Sequence, residues 1–404
     1  MKYEDYLDLG YEPKDELICI FRVKAKNIRR AAGAIAAESS TGTWSEVGTE
    51  TELTKKISAR VFEIEGDLVK IAYPPELFEG GNMSQIMSSI AGNIFGMKDV
   101  KSLRLEDVFF PKKIIRSFKG PKFGITGIRK VLRVKKRPLV GTIVKPKLGL
   151  RAKDFAEVAY EAWMGGCDLV KDDENLTSQK FNKFEERLLY VLKMKERAEE
   201  ETGEKKGYMI NVSAETAEMI RRAKIVEDMG NEYIMVDVLT VGVSALQTLR
   251  NQEFELIMHA HRAMHAALTR KKDHGISMKV LAKIMRIVGV DQLHIGTGVG
   301  KMFETKKDVL QNILALKENI GLKPCMPVAS GGLHPLLVPK LLRIFGTDVV
   351  IQAGGGIHGH KMGTRAGALA MRRAVEACME GVSLEEAAKT CRELKIAIQQ
   401  WGKR

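Results

Sequence analysis

Cysteine is scarce and scattered in this sequence. Cys19, Cys167, Cys325, Cys378 and Cys391 form no CxxC pair and are odd in number. That argues against a disulfide framework and leads us to expect reduced, mostly buried thiols. No apolar run approaches the length that spans a bilayer, so no membrane partner is expected. The opening segment, MKYEDYLDLGYEPKDE, is acidic and has no apolar h-region. It gives no sign of a secretory signal and makes the cytoplasm the expected location. Internal repeats and low-complexity tracts are also missing.

What is present is a basic chain of 404 residues, 45% hydrophobic and 29% charged, with a formal net charge of +14. Such numbers describe a globular protein with ample core, long enough for a large barrel plus an accessory domain. A basic chain raises the question of nucleic acid. Here the positive charge is spread through segments rich in both signs, such as 185–204. The densest basic block, RKVLRVKKR at 129–137, alternates with apolar residues and reads as a solvated face before a buried strand. No aromatic stacking platform or zinc pattern accompanies it, so no nucleic-acid partner is expected. Excess positive charge also steers small anionic substrates.

From about residue 139 the pattern turns regular. Apolar runs at 138–144, 168–171, 208–212, 233–238, 255–258, 292–295, 326–329 and 348–351 are each followed by a segment long enough for a helix. Strands alternating with helices mean βα units and a parallel sheet. Eight such units make a (β/α)8 TIM barrel. The stretch before them has strand-like runs at 17–23, 59–64 and 69–72, and helical ones at 28–37 and 83–90. The expected class is therefore α/β, with a smaller N-terminal α+β domain (1–125) and a barrel domain (126–404). The segment 118–124, FKGPKFG, is read as the linker.

Active sites of such barrels lie at the C-terminal ends of the strands. The second apolar run ends in Lys171-Asp172-Asp173-Glu174. Alternation sends Lys171 and Asp173 to one face and Asp172 to the other. Carboxylates there suit a hard cation such as Mg²⁺, which takes oxygen ligands. A lysine amine is no such ligand, so Lys171 is a base, a Schiff-base former, or the site of a carbamate made with CO₂. The bland alternative is a solvated acidic turn.

Other strand ends are similarly polar. The first carries Lys145-Pro146-Lys147, the fifth His259-Ala260-His261-Arg262 with His265 following, and the sixth His294 before Gly296-Thr297-Gly298-Val299-Gly300-Lys301. The seventh ends in Ser330-Gly331-Gly332 and the eighth in Gly354-Gly355-Gly356. Glycine loops after strands seven and eight are the usual phosphate site of this architecture, because backbone N–H groups there can approach an anion closely. Plain left-handed turns are the alternative. Arg262 and His294 could serve a second anion, or be a carboxylate-paired arginine and a satisfied core histidine. Lys145 and Lys147 could act as acid or base near other cations and a metal, or be an exposed pair without a role. His358 and His360 have the spacing of a metal pair but no evident third ligand, and are read as loop histidines near the phosphate site.

Together these motifs resemble the large subunit of ribulose-bisphosphate carboxylase (RuBisCO). The resemblance runs through nearly the whole chain. Its N-terminal part is Glu38-Ser39-Ser40-Thr41-Gly42-Thr43-Trp44 and Ala91-Gly92-Asn93-Ile94-Phe95-Gly96. In the barrel it is carried by Lys145-Pro146-Lys147-Leu148-Gly149, Lys171 to Asn175, His261-Arg262-Ala263-Met264-His265, Gly300-Lys301 and Val328-Ala329-Ser330-Gly331-Gly332. The phrases Asp173-Glu174-Asn175-Leu176-Thr177-Ser178, His274-Gly275-Ile276-Ser277-Met278 and Asp291-Gln292-Leu293-His294 are most similar to the archaeal, form III branch.

The resemblance implies Mg²⁺-dependent carboxylation (and oxygenation) of ribulose 1,5-bisphosphate through an enediolate. It implies a Lys171 carbamylated by CO₂ that binds Mg²⁺ with Asp173 and Glu174. Lys145 would handle proton transfer, supported by Lys147. His261 would act near the substrate hydroxyls, with His265 behind. Lys301, on a mobile loop, would close over the substrate. Arg262, His294 and Ser330 would hold one phosphate, and Gly331, Gly332, Gly354 and Gly355 would line the other with Thr43 and Trp44. Glu38, Thr43, Trp44 and Asn93 would come from the neighbouring subunit, so the minimal unit would be a homodimer. Nothing implies a small subunit.

Three features depart from the family pattern. After Lys301 the usual Leu-Glu-Gly is replaced by Met302-Phe303-Glu304. The stretch from there to Ser330 looks shorter than in archaeal relatives. After the triple glycine the usual Thr-Leu-Gly-His-Pro becomes Ile357-His358-Gly359-His360-Lys361. All three touch the closing loop or the phosphate loop, and bear on carboxylation more than on enolisation. They keep open a second reading: a RuBisCO-like protein that enolises or isomerises another sugar phosphate, such as a methionine-salvage intermediate, without fixing CO₂.

Overall fold

The structure, a computed structural model, describes residues 1–402. In chain order the strands are β1 (Leu17–Lys24), β2 (Arg60–Glu65), β3 (Leu68–Tyr73), β4 (Ser102–Phe109), β5 (Leu139–Ile143) and β6 (Leu169–Lys171). They continue with β7 (Gly207–Asn211), β8 (Tyr233–Asp237), β9 (Ile257–His261), β10 (Gly275–Ile276), β11 (Gln292–His294), β12 (Met326–Ser330) and β13 (Val350–Gln352).

Two compact units emerge. The first comprises Met1–Gly120, Met264–Val288 and Asn319–Leu322, and the second Pro121–Ala263, Gly289–Glu318 and Lys323–Arg404. A single cut after residue 125 does not describe this division, because two later segments join the N-terminal unit.

The first unit holds a sheet of order β10-β4-β1-β3-β2. Along β1 every second residue, Leu17, Cys19, Phe21 and Val23, is buried, as a sheet with one covered face requires. The two-residue turn Gly66-Asp67 closes the β2–β3 hairpin, with Gly66 at φ +59°. The helix Ile28–Glu38 starts at Asn27, whose side chain accepts from the Arg30 amide, and buries an alanine-rich face.

Strand β4 has no counterpart in the sequence reading. Its alternation is masked by buried charge: the Arg104 guanidinium donates to the carbonyls of Thr269 (3.2 Å) and Lys271. Asp107 takes Lys283 at 2.7 Å and Lys279 at 2.5 Å. The two residues of β10 pair in parallel with β4, and Ser277 donates to the Glu106 carbonyl at 2.8 Å. These bonds fasten Met264–Val288 into the first unit.

In the second unit eight parallel strands close as β11-β12-β13-β5-β6-β7-β8-β9. Strands β5, β7 and β8 are buried at every position. That is why they read as unbroken apolar runs. The (β/α)8 TIM barrel is thus observed. The basic block begins at the end of helix Gly124–Leu132, which stops at Arg133 in the left-handed conformation, and continues beyond it to Arg137. Ile125, Ile128 and Leu132 of that helix join Leu139, Leu169, Met209, Tyr233 and Ile257 in one apolar cluster. It seals the N-terminal end of the barrel, each fully buried side chain contributing about 1.5–3 kcal/mol.

The segment read as a linker ends fastened rather than free. The Phe123 and Gly124 amides donate to Asp291 Oδ1 at 2.7 and 2.9 Å. Asp291 Oδ2 accepts from the Met258 amide at 3.0 Å. Nearby, Arg137 forks onto Asp168 with both contacts at 2.7 Å. All five cysteines are free thiols and four are buried. Among the described residues no helix is long and apolar enough to cross a membrane.

Candidate active site

The site grows from the C-terminal end of β6. Alternation does separate the adjacent aspartates. Asp172 turns away from the barrel mouth and is fully buried. It accepts from Tyr208 Oη at 2.7 Å, Arg187 Nη2 at 3.0 Å and the Asn211 amide at 2.9 Å. That clamp fixes the backbone carrying Lys171 and Asp173. Burial opposes the Arg187 charge, yet Asp172 and Tyr208 raise its pKa overall.

Lys171 is 1% exposed. Its Nζ donates to the Asp172 carbonyl at 2.6 Å, lies 3.1 Å from Met235 Sδ and stands 3.9 Å from Glu174 Oε2. Desolvation pulls its pKa below the usual lysine value, against the opposing pull of Glu174, Asp237, Asp173 and Asp172. For Glu174, burial favours the neutral acid. His261, Lys171, its own backbone amide and Lys145 outweigh burial and hold the carboxyl below its ordinary value.

Lys145 Nζ meets Asp173 Oδ2 at 2.8 Å. A Cβ on Gly354 would lie 3.2 Å from Lys145 Cε, so a glycine after β13 makes room for that side chain. Lys147 is exposed and donates to Asn175 Oδ1 at 3.0 Å. His261 Nδ1 donates to Asp237 Oδ1 at 3.1 Å, and its Nε2 is 3.6 Å from Glu174 Oε2. Lys145, Lys171, Asp173, Glu174 and His261 are therefore brought together.

Asp237 and Asn211 are functional-site residues that the sequence reading missed. Each ends an apolar strand, β8 and β7, so each passes for an ordinary strand terminus. Asn211 Nδ2 reaches the Glu174 carbonyl and Asp237 Oδ2, both at 3.3 Å. The available signal was position, since in this architecture a polar residue at a strand's C-terminal end faces the site.

Strands β9 and β11 contribute a histidine cluster. His259 lies within β9, where the sequence reading had already ended the strand. Its Nδ1 donates to Gln292 Oε1 at 2.8 Å, and its Nε2 meets His294 Nε2 at 2.9 Å. Burial, with Lys171 beside it, pushes the His259 pKa down to about 3, and burial with the neighbouring cations takes His294 well below its ordinary value. Arg262 follows β9 and is ion-paired with Glu304 at 2.5 Å. Its guanidinium has its pKa lowered by burial against the opposing carboxylate.

The glycine loops take up the loop after β11. Gly331 and Gly332 have φ of +122° and +71°. A Cβ on Gly331 would strike Met302 Cγ at 2.4 Å, and one on Gly332 would meet Lys301 Cγ at 3.0 Å. Lys301 itself is exposed, and Ser330 ends β12 beside Gln352. Gly355 has open space at its Cβ position. His358 and His360 diverge: His358 bonds Thr142 Oγ1 at 2.9 Å and Thr364 Oγ1 at 3.0 Å, whereas His360 bonds the Glu393 carbonyl at 3.0 Å. They form no metal pair.

The remaining expected residues lie in the first unit. Asn93 Nδ2 is 3.5 Å from Glu38 Oε1. Thr43 and Trp44 sit in an irregular loop, with the indole 83% exposed. His265 is buried, with Nδ1 3.0 Å from Thr269 Oγ1.

Among the described residues no three His, Cys, Asp or Glu side chains converge to hold a metal. The barrel mouth offers the carboxylates of Asp173, Glu174 and Asp237, with the buried Lys171 amine 3.9 Å from Glu174. A hard cation fits this set through Asp173 and Glu174, and Lys171 would add a third anionic oxygen once converted to a carbamate.

Two family models match the chain: ribulose bisphosphate carboxylase large chain, N-terminal domain, over residues 5–114, and its catalytic domain over residues 124–401. The chain is 52% identical to the ribulose bisphosphate carboxylase of Methanocaldococcus jannaschii, covering 98% of this chain and 100% of that one. It is 50% identical to that of Pyrococcus abyssi, covering 99% and 97%. Among solved structures, the complex of sulfate ion and octameric Rubisco from Pyrococcus horikoshii OT3 superposes with TM-score 0.96 at 48% identity, covering 100% of this chain and 97% of that one. The dimeric archaeal Rubisco from Hyperthermus butylicus gives TM-score 0.93 at 46% identity, covering 99% of each.

Proposed function

The chain belongs to the ribulose bisphosphate carboxylase large-chain family, and we infer from that membership that it carboxylates ribulose 1,5-bisphosphate to 3-phosphoglycerate. The observation that carries this is similarity over the full chain to proteins named as carboxylases. It favours the carboxylase over the RuBisCO-like enolase or isomerase.

The residue roles are those the family resemblance implies, read onto this geometry. The neutral Lys171 amine attacks CO₂, one N–C bond forms and one proton leaves. Burial favours that neutral amine. The resulting carbamate, Asp173 and Glu174 are the three anionic donors that would hold Mg²⁺. When bound, Mg²⁺ supplies Lewis-acid polarisation of the substrate ketone.

Lys145, held by Asp173 in the room left by Gly354, gives and takes the proton during enolisation and at the end of the reaction. Lys147 supports it. Asp237 orients His261 toward the substrate hydroxyls. Arg262, His294 and Ser330 bind one phosphate. Gly331, Gly332, Gly354 and Gly355 line the other, joined by Thr43 and Trp44. Lys301 closes over the bound substrate and excludes water. Glu38, Thr43, Trp44 and Asn93 are supplied by a neighbouring copy, so the working unit is a homodimer or an oligomer of dimers without a small subunit. The enzyme works in the cytoplasm.

The test is ¹⁴CO₂ incorporation into 3-phosphoglycerate after incubation with bicarbonate and Mg²⁺, run warm and anaerobic. Incorporation that disappears in Lys171→Ala is expected. No incorporation, with proton exchange on a sugar phosphate retained, would sink the carboxylase reading.

A further inference from the structure

In the loop after β11, Glu304 is the residue paired with Arg262. Both side chains are almost out of solvent, Arg262 at 6% and Glu304 at 4% exposed. Gly296, just after β11 and at φ +89°, keeps the space between strand end and loop clear. A Cβ there would lie 3.1 Å from the Glu304 carboxyl carbon and 3.3 Å from Arg262 Nη2. An arginine that binds phosphate should be open to an anion, and this one already holds one.

We propose that Glu304 is an internal occupant of the anion subsite at Arg262, displaced by the substrate's phosphate. This rests on the reading of Arg262 as a phosphate ligand. An occupied subsite weakens apparent affinity by the fraction of molecules in which it is free. Displacement also couples phosphate arrival to the loop. Glu304 lies three residues beyond Lys301. Between them Met302 lies against Gly331, while the Lys301 stem crosses Gly332. Moving Glu304 off Arg262 must therefore shift the segment that carries Lys301. Glu304 acts as a positioning and specificity-determining residue rather than a catalytic one.

The experiment compares the wild-type enzyme, Glu304→Gln and Arg262→Gln. It measures inhibition by inorganic phosphate, and KM and kcat for ribulose 1,5-bisphosphate. Glu304→Gln is expected to tighten phosphate inhibition and lower KM by about fivefold or more, without a matching rise in kcat. Arg262→Gln is expected to weaken both. Unchanged or weaker phosphate inhibition in Glu304→Gln, with Arg262→Gln impaired, would make the pair purely structural and overturn the proposal while leaving the phosphate reading intact. Unchanged phosphate inhibition and KM in Arg262→Gln would overturn the phosphate reading and the proposal together. If Glu304→Gln does not fold, Glu304→Asp replaces it. A shorter arm loosens the pair and should shift both constants in the same direction by less; no shift counts against the proposal.

Discussion

The two ends of the barrel use the same residue types to opposite effect. At the N-terminal end each buried acid has a complete partner set. Asp168 takes a two-pronged Arg137 and the Val140 amide, and Asp291 takes three backbone amides. At the C-terminal end Lys145 meets Asp173 at 2.8 Å, but the contacts to Glu174 are loose. Lys171 stands 3.9 Å from Glu174, and His261 Nε2 3.6 Å from the same carboxylate. A satisfied buried charge holds the fold. A loosely matched one with a shifted pKa is available for chemistry. The same sheet thus carries a structural end and a reactive end, as its architecture leads one to expect.

Substitution tests this contrast most sharply. Lys171→Ala should remove carboxylation by at least about 10³-fold. It should leave the urea midpoint nearly unchanged, because the lost group is a desolvated amine. Asp168→Ala should do the reverse, losing about 3–5 kcal/mol of stability because Arg137 is left without its carboxylate. A Lys171 variant less stable than the Asp168 one would break the comparison.

Asp237→Asn is a finer probe. It keeps the shape beside His261 but loses the charge. We expect kcat to fall by about ten- to a hundredfold with thermal midpoint little altered. An unchanged kcat would remove Asp237 from the reactive end.

Acid should separate the ends with the smallest effect. His259 and His358 have pKa values pushed by burial down to about 3 and about 4 from 6.5. Protonation therefore favours the unfolded state. The stability tied to them is fully present above about 6.5 and is lost as pH falls toward 3–4. At the other end, burial opposes the Glu204 charge, but bonds to Arg372 and Lys206 hold its pKa at about 2, below 4.5. Its contribution is lost only as pH falls from about 4.5 toward 2. Hydrogen exchange between pH 6.5 and 4.5 should show the C-terminal strand ends loosening first. His358→Gln should reduce that loss, and simultaneous loosening of both ends would count against the assignment.

Much of the barrel was legible because its strands are buried on both faces and so print apolar runs. Strand β4 was not, since Arg104 and Asp107 put charge on its buried positions and find their partners far along the chain. The Lys171, Asp173, Glu174 and His261 cluster was legible from strand-end position. Asn211 and Asp237 were not, because one polar residue closing an apolar run carries no local mark. Arg262 could be read as an anion ligand or as a carboxylate-paired arginine, and the structure contains the pair.

The sequence by itself determined the eight-unit barrel and the set of groups gathered at its C-terminal end, because strand periodicity and strand-end placement are local properties. Only the tertiary structure decided which charges are free to act. Asp172 and Asp173 are neighbours of the same type. One is locked by Arg187, Tyr208 and the Asn211 amide, and the other faces Lys145 across the barrel mouth. That difference depends on partners brought in from other strands and helices.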